Sequence, residues 1–201
     1  ENGQLLLFFS GHGEFDEVAK IGYFIPANAK GKYEYIAYPS FRREIDAIPC
    51  KHTLLMIDAC YAGTFDDEVG FKDRPDTWQN QEASARIAKL LSEKTRYFAS
   101  SAAKKRSPEK SQFAKGFVAA LNNPPADGII TLTDLQKQWE TANPKPYTNG
   151  FGSHEDGNFV FLSTQKIAPP PPPIDEKQVS YNKMKPDCDA EFQAENWAAA
   201  K

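Results

Sequence analysis

Two continuous apolar runs constrain the fold more than any other feature. Residues 5–10 read LLLFFS and residues 53–59 read TLLMIDA. Unbroken runs of this length, bounded by glycine or polar residues, read as strands covered on both faces, as in parallel sheets. Residues 5–10 are therefore expected to be fully buried. Residues 96–101 (RYFASS) read as a third strand, residues 158–163 (NFVFLS) as a last one, and Tyr23, Phe24 and Ile25 as a short one. Helical spacing falls between them. Residues 40–48 read as a helix capped by Ser40, with Phe41, Ile45 and Ile48 on one face and Pro49 ending it. Residues 78–94 carry Ala83, Ile87, Leu90 and Leu91 at helical intervals. Residues 111–121 place Phe113, Phe117, Val118 and Leu121 inward. Residues 133–141 read as a helix capped by Thr133 and stopped by Asn143-Pro144. Strands alternating with helices give an α/β fold, its sheet mostly parallel and flanked by helices.

The chain has 201 residues, which suits one domain and a tail. After Lys166 the composition changes. Residues 167–178 contain five consecutive prolines, Pro169 to Pro173, and read as a semi-rigid spacer, with docking to an SH3-like groove as the other use of such a run. Residues 179–201 are either a tail or the start of a further domain. The 24 Lys and Arg against 27 Asp and Glu give a net charge of −3, which argues against a nucleic-acid binder. No apolar run is long enough to span a bilayer, and no signal-peptide pattern is visible at Glu1. Cys50, Cys60 and Cys188 make neither a disulfide framework nor a zinc pattern, so no metal is expected and a reducing, cytoplasmic compartment is. There is no glycine-rich phosphate loop followed by Lys.

The chemistry gathers where two strands end. One ends in Ser10-Gly11-His12-Gly13, the other in Asp58-Ala59-Cys60-Tyr61-Ala62-Gly63. Reactive groups in open parallel sheets collect at the carboxyl ends of strands. If the two strands are neighbours, His12 and Cys60 share one edge. An imidazole beside a thiol can take its proton and leave a nucleophilic thiolate. Gly11 and Gly13 permit a sharp turn and close approach of a substrate. The N–H groups of Gly13 and Cys60 can together bind an oxyanion.

These residues resemble a family. Residues 8–13 (FFSGHG) look like the histidine motif of caspase-like cysteine peptidases, and residues 57–63 (IDACYAG) look like their cysteine motif. Asp58, two before the cysteine, brings the pattern nearer to metacaspases and bacterial caspase homologues than to animal caspases. The resemblance runs on through residues 98–101, 111–114 and 157–161, read as the next strand, the following helix start and the final strand. It covers about residues 4–163, so residues 1–166 are expected as a caspase-like domain, a three-layer sandwich.

The resemblance implies that Cys60 is the nucleophile and His12 the base that later protonates the leaving amine, through a thioester intermediate. It also implies that Asp58 helps bind a basic P1 side chain, because residues i and i−2 of a strand share a face. The other reading of Asp58 is a structural carboxylate bonded to loop amides. Ser100 and Ser101 either flank the pocket or are plain strand-end serines. Glu109, in a loop that also carries Lys104, Lys105, Arg106 and Lys110, is a second candidate pocket acid. Metacaspases often need calcium; Asp66, Asp67, Glu68, Asp73 and Asp76 are acidic but lack an EF-hand pattern and read as a solvated face. The same segment holds Lys72 and Arg74, which become self-cleavage sites if P1 is basic.

Caspase-like domains begin with further strands before the histidine strand, and this chain starts at about that strand. An N-terminal segment or a second chain completing the sheet is therefore expected, since an uncovered apolar edge invites aggregation. Two other functions remain open beside the peptidase. One is an inactive caspase-like scaffold that recruits partners. The other is a cysteine hydrolase or acyltransferase acting on small molecules. His52 and His154, outside both motifs, read as ordinary surface or loop residues.

Overall fold

The computed structural model describes residues 3–66, 82–101, 111–155 and 157–163. Glu109, Lys72, Arg74, four of the five clustered acids (Asp67, Glu68, Asp73, Asp76), Cys188 and the Pro-rich spacer and tail lie outside them.

The elements run β1 (Gln4–Ser10), β2 (His12–Asp16), β3 (Ile21–Ile25), β4 (Ile36–Ala37), α1 (Tyr38–Asp46), β5 (His52–Asp58), α2 (Ala83–Leu90), β6 (Thr95–Ser100), α3 (Gln112–Asn122), β7 (Ile129–Ile130), α4 (Leu132–Gln138), β8 (Tyr147–Gly150) and β9 (Phe161–Leu162). The main sheet has the order β1-β5-β6-β8. β1, β5 and β6 are parallel, and β8 runs antiparallel to β6. The fold is thus mixed α/β with a mostly parallel sheet. β2, β3 and β4 form a small antiparallel sheet.

Alternating side chains of β5 and β6 divide the core. Leu54, Met56, Tyr97 and Ala99 pack with Phe113, Phe117, Leu135 and Trp139 of the α3–α4 layer. Leu55, Ile57 and Phe98 pack on the other face with Phe24, Tyr38, Ile45 and Phe65. Such two-sided burial accounts for the unbroken apolar sequence of β5. β1 differs from its expected burial. It is an edge strand with alternating exposure; Leu6 is 38% and Phe8 44% exposed. Among the described residues its outer edge pairs with nothing.

Several element limits differ from expectation. α1 starts at Tyr38, not after Ser40, because Pro39 fits the first turn, where its missing N–H costs nothing. α4 is capped by Thr131 rather than Thr133: Asp134 bonds back to the Thr131 backbone and closes a capping box. α3 is capped by Ser111, whose hydroxyl accepts from the Ala114 N–H at 3.3 Å. Its buried face is Phe113, Phe117 and Ala120, while Val118 is exposed. Residues 158–160 are not strand. The Gln4 side-chain amide both donates to and accepts from the Val160 backbone at 3.1 Å, taking the place of a neighbouring strand. Only Phe161–Leu162 pairs, with β7, away from the main sheet.

His52 is buried in β5, with Nδ1 3.0 Å from the Thr95 hydroxyl, and is not a surface residue. His154 Nδ1 accepts from the Arg96 N–H at 3.0 Å. At this end of the sheet Arg96, 1% exposed, donates to the Asp46 carboxylate at 3.1 Å and to the carbonyls of Ile48 and Thr95, both at 3.0 Å. It ties β6 to the end of α1. Arg96→Met is expected to cost about 3 kcal/mol, because it leaves buried acceptors unpaired. Equilibrium urea unfolding reads that loss directly.

Asp46 carries a pH dependence. Burial pushes its carboxyl up, but hydrogen bonds from Ser153 and the charges of Lys94 and Arg96 outweigh this, and the net shift is downward from 3.8. A lowered folded value means the contribution is complete above the ordinary value and is lost as pH falls through the folded one. Asp46→Asn is therefore expected to lower stability at neutral pH and to flatten the fall below about pH 4. Thermal unfolding across that range, compared with the unsubstituted protein, checks it.

Candidate functional site

β1 and β5 run side by side in register from Gln4–His52 to Ser10–Asp58. The Gly11 N–H extends this ladder by one bond, to the Asp58 carbonyl at 3.1 Å. His12 and Cys60 each follow two residues after the last register pair, so the strand ends deliver both to one edge of the sheet.

Gly13 shows how close the two segments come. A Cβ at this position would lie 2.2 Å from the Cys60 carbonyl oxygen and 3.1 Å from the Tyr38 hydroxyl. Only glycine lets the backbone after His12 touch the backbone of Cys60. His12 opens strand β2, in register with Ile25 of β3. The hairpin gives the exposed imidazole a fixed base.

Cys60 is a free, half-buried thiol in a tight reversal. Tyr61 takes φ 59° and ψ 14°, in the left-handed region, and a 3-10 turn follows at Ala62–Thr64. A bulky residue in that conformation is strained and persists only when its surroundings hold it there. Here the Thr64 hydroxyl and N–H donate to the Tyr61 carbonyl at 2.8 and 3.0 Å. The Tyr61 ring stacks on Phe15 of β2, with centroids 6.2 Å apart. Phe65, buried against Tyr38, Phe98 and Phe151, anchors the end of the turn. The reversal follows directly on the end of β5 and leaves the Cys60 backbone against Gly13 of the β2 hairpin.

Of the remaining candidates, Asp58, Ser100 and Ser101 fall on the same edge. Asp58 is buried and is the last residue of β5. Regular strand alternation stops there, so the same-face rule does not itself carry on to Cys60. Ser100 and Ser101 are both buried. The Ser100 hydroxyl donates to the Tyr147 carbonyl at 3.4 Å, and the Ser101 N–H donates to the Ile57 carbonyl at 3.0 Å. Asp66 is not part of a solvated face. It is 4% exposed and pairs with Arg42 of α1 at 2.5 Å. Among the described residues no group of three or more His, Cys, Asp or Glu is placed to hold a metal ion. No described helix is long and apolar enough to cross a membrane.

Tyr38 is the residue the sequence reading missed. It is fully buried at the start of α1 and its hydroxyl points to the place where Gly13 meets Cys60. Burial, and then the negative charge available at Cys60, pushes its phenol well above the ordinary value. The available sequence signal was Pro39, which favours a helix start one or two residues before it.

No protein-family model matches this chain, and no curated protein matches it either.

Proposed function

We propose that this protein is a caspase-like cysteine endopeptidase that cleaves after Arg or Lys. The observation that carries the proposal is the β1–β5 register, which ends both strands together and sets the segment carrying His12 against the backbone of Cys60. His12 takes the Cys60 proton and the thiolate adds to the scissile carbonyl. The N–H groups of Gly13 and Cys60 receive the oxyanion. The protonated imidazole then gives its proton to the departing amine, and water hydrolyses the thioester with His12 as base. Cleavage of a chain by this route needs no redox partner.

Asp58, at the same edge, supplies the charge for a basic P1 side chain. Ser100 and Ser101, being buried, shape the floor of the pocket rather than reach into it, and Glu109 is a second acid for the same guest. A strand from an N-terminal segment or second chain pairs with the uncovered edge of β1, where Leu6 and Phe8 are exposed. Self-cleavage falls after Lys72 or Arg74.

Peptides with Arg, Lys or Asp at P1, assayed with and without calcium, test this reading. Hydrolysis after Arg and Lys is expected, with Asp58→Asn lowering kcat/KM for these peptides at least about tenfold. Cleavage after Asp alone overturns the role given to Asp58.

A further inference from the structure

Burial alternates along β3: Gly22 and Phe24 are buried, while Ile21, Tyr23 and Ile25 are half-buried. Phe24 belongs to the core with Tyr38 and Phe65, so Ile21, Tyr23 and Ile25 take the outer face of the small sheet. Residues directly opposite each other in an antiparallel pair share a face. His12 stands opposite Ile25, and Glu14 opposite Tyr23. The His12 and Ile25 side chains therefore start next to each other, their Cβ atoms about 5 Å apart. Behind them Tyr23 meets Tyr35 edge-on, with ring centroids 6.4 Å apart. β3 is paired with β2 on one side and β4 on the other, which fixes this face as a platform.

We propose that Ile25, with Tyr23 behind it, is the subsite for the residue that follows the scissile bond, and that it selects an apolar side chain there. This rests on His12 being the acid that protonates the leaving amine in the proposed peptidase. To receive that proton the amine nitrogen must come within about 3 Å of the imidazole. The nitrogen belongs to the residue after the cut, and its side chain hangs from the next carbon. A side chain held so close to the imidazole meets whatever flanks the imidazole. Across the ladder that is Ile25.

The chemistry of the platform sets the preference. An apolar guest laid on Ile25 and Tyr23 removes apolar surface of both partners from water. A cationic guest gains little, because the β2 carboxylates of this face are already engaged. Glu14 pairs with Lys32 at 2.5 Å, and Asp16 accepts from the Val18 and Ala19 N–H groups at 2.9 and 3.0 Å. A charged side chain would lose hydration there without a partner in return. Asp58 and Ile25 thus read opposite sides of the same bond, one by charge and the other by apolar contact.

The test is hydrolysis by the full chain of peptides with Arg at P1 and Leu, Gly or Lys immediately after it. The Leu peptide is expected to exceed the Gly and Lys peptides in kcat/KM by roughly tenfold. Ile25→Ala is expected to bring the Leu and Gly peptides to within about twofold of each other. Ile25→Glu places a carboxylate on the platform and is expected to raise the ratio of the Lys to the Leu peptide about tenfold. These ratios separate the proposal from a structural role, since a loosened hairpin slows all three peptides alike. Equal rates for the three peptides in the unsubstituted enzyme, or proportional losses in Ile25→Ala, overturn the proposal and leave the peptidase standing. No hydrolysis of any of them, or of peptides with other residues at P1, overturns the peptidase reading and this subsite with it.

Discussion

Cys60→Ala is expected to lower kcat/KM for peptides with Arg at P1 by on the order of 10^4-fold or more. Alanine keeps the backbone and its oxyanion donor and removes only the nucleophile. His12→Ala is expected to be nearly as severe, because the imidazole is asked both to take the thiol proton and to protonate the leaving amine. The two losses should not add. Groups that act as one unit are lost together, so the double variant should match the worse single one. Fluorogenic peptide hydrolysis on all three variants measures this. Retention of more than a few percent of the activity in Cys60→Ala would place the chemistry elsewhere.

Gly13→Ala carries the second large effect. Its new methyl group would fall 2.2 Å from the carbonyl oxygen of Cys60. That oxygen belongs to the backbone, so no side chain can turn aside. The hairpin cannot slide either, since β2 is paired with β3 along its whole length. The β2 hairpin and the Cys60 turn must separate, and a displacement of about 1 Å is enough to cost on the order of a hundredfold in rate. Gly11→Ala is the matched comparison. A Cβ there meets the tip of the Phe9 ring at 3.1 Å, and a ring can give by a few tenths of an ångström. The expected ratio between the two variants is therefore large. Equal activities would mean that β2 does not lie against Cys60 as described.

How much of this was legible in the sequence varies with the range of the interaction. β5 and β6 were readable because burial on both faces writes itself as an unbroken apolar run. β1 carries the same kind of run, yet lies at the edge of the sheet. An apolar strand has the same residues whether its outer neighbour is present or not. β8 (YTNG) has no pattern of its own; its pairing with Tyr97–Ser100 decides it, and that partner is some fifty residues away in sequence. The cap of α4 was ambiguous, since Thr131 has Asp134 and Thr133 has Gln136 at the same capping-box spacing, and only the bond from the Thr131 N–H to Asp134 decides between them.

The site shows the same division. His12 and Cys60 were singled out because each follows an apolar run, His12 between two glycines and Cys60 three residues before one. That the segments carrying them come together depends on the β1–β5 register, which sequence spacing only hints at. Tyr38 and the left-handed Tyr61 were invisible for a physical reason: each is defined by what surrounds it, not by its neighbours along the chain. His52 was misjudged in the same way. An imidazole at the start of an apolar strand is placed inside by the Thr95 hydroxyl that receives it.

Covalent trapping tests the central claim most directly. The full chain is treated at neutral pH with a peptidyl chloromethylketone bearing Arg at P1, and the products are mapped by mass spectrometry. One adduct per chain, on the Cys60 sulfur, formed faster than with an Asp reagent and lost on His12→Ala, is the predicted result. Adducts spread evenly over Cys50, Cys60 and Cys188, or a Cys60 rate indifferent to His12, would contradict an activated nucleophile at this edge of the sheet.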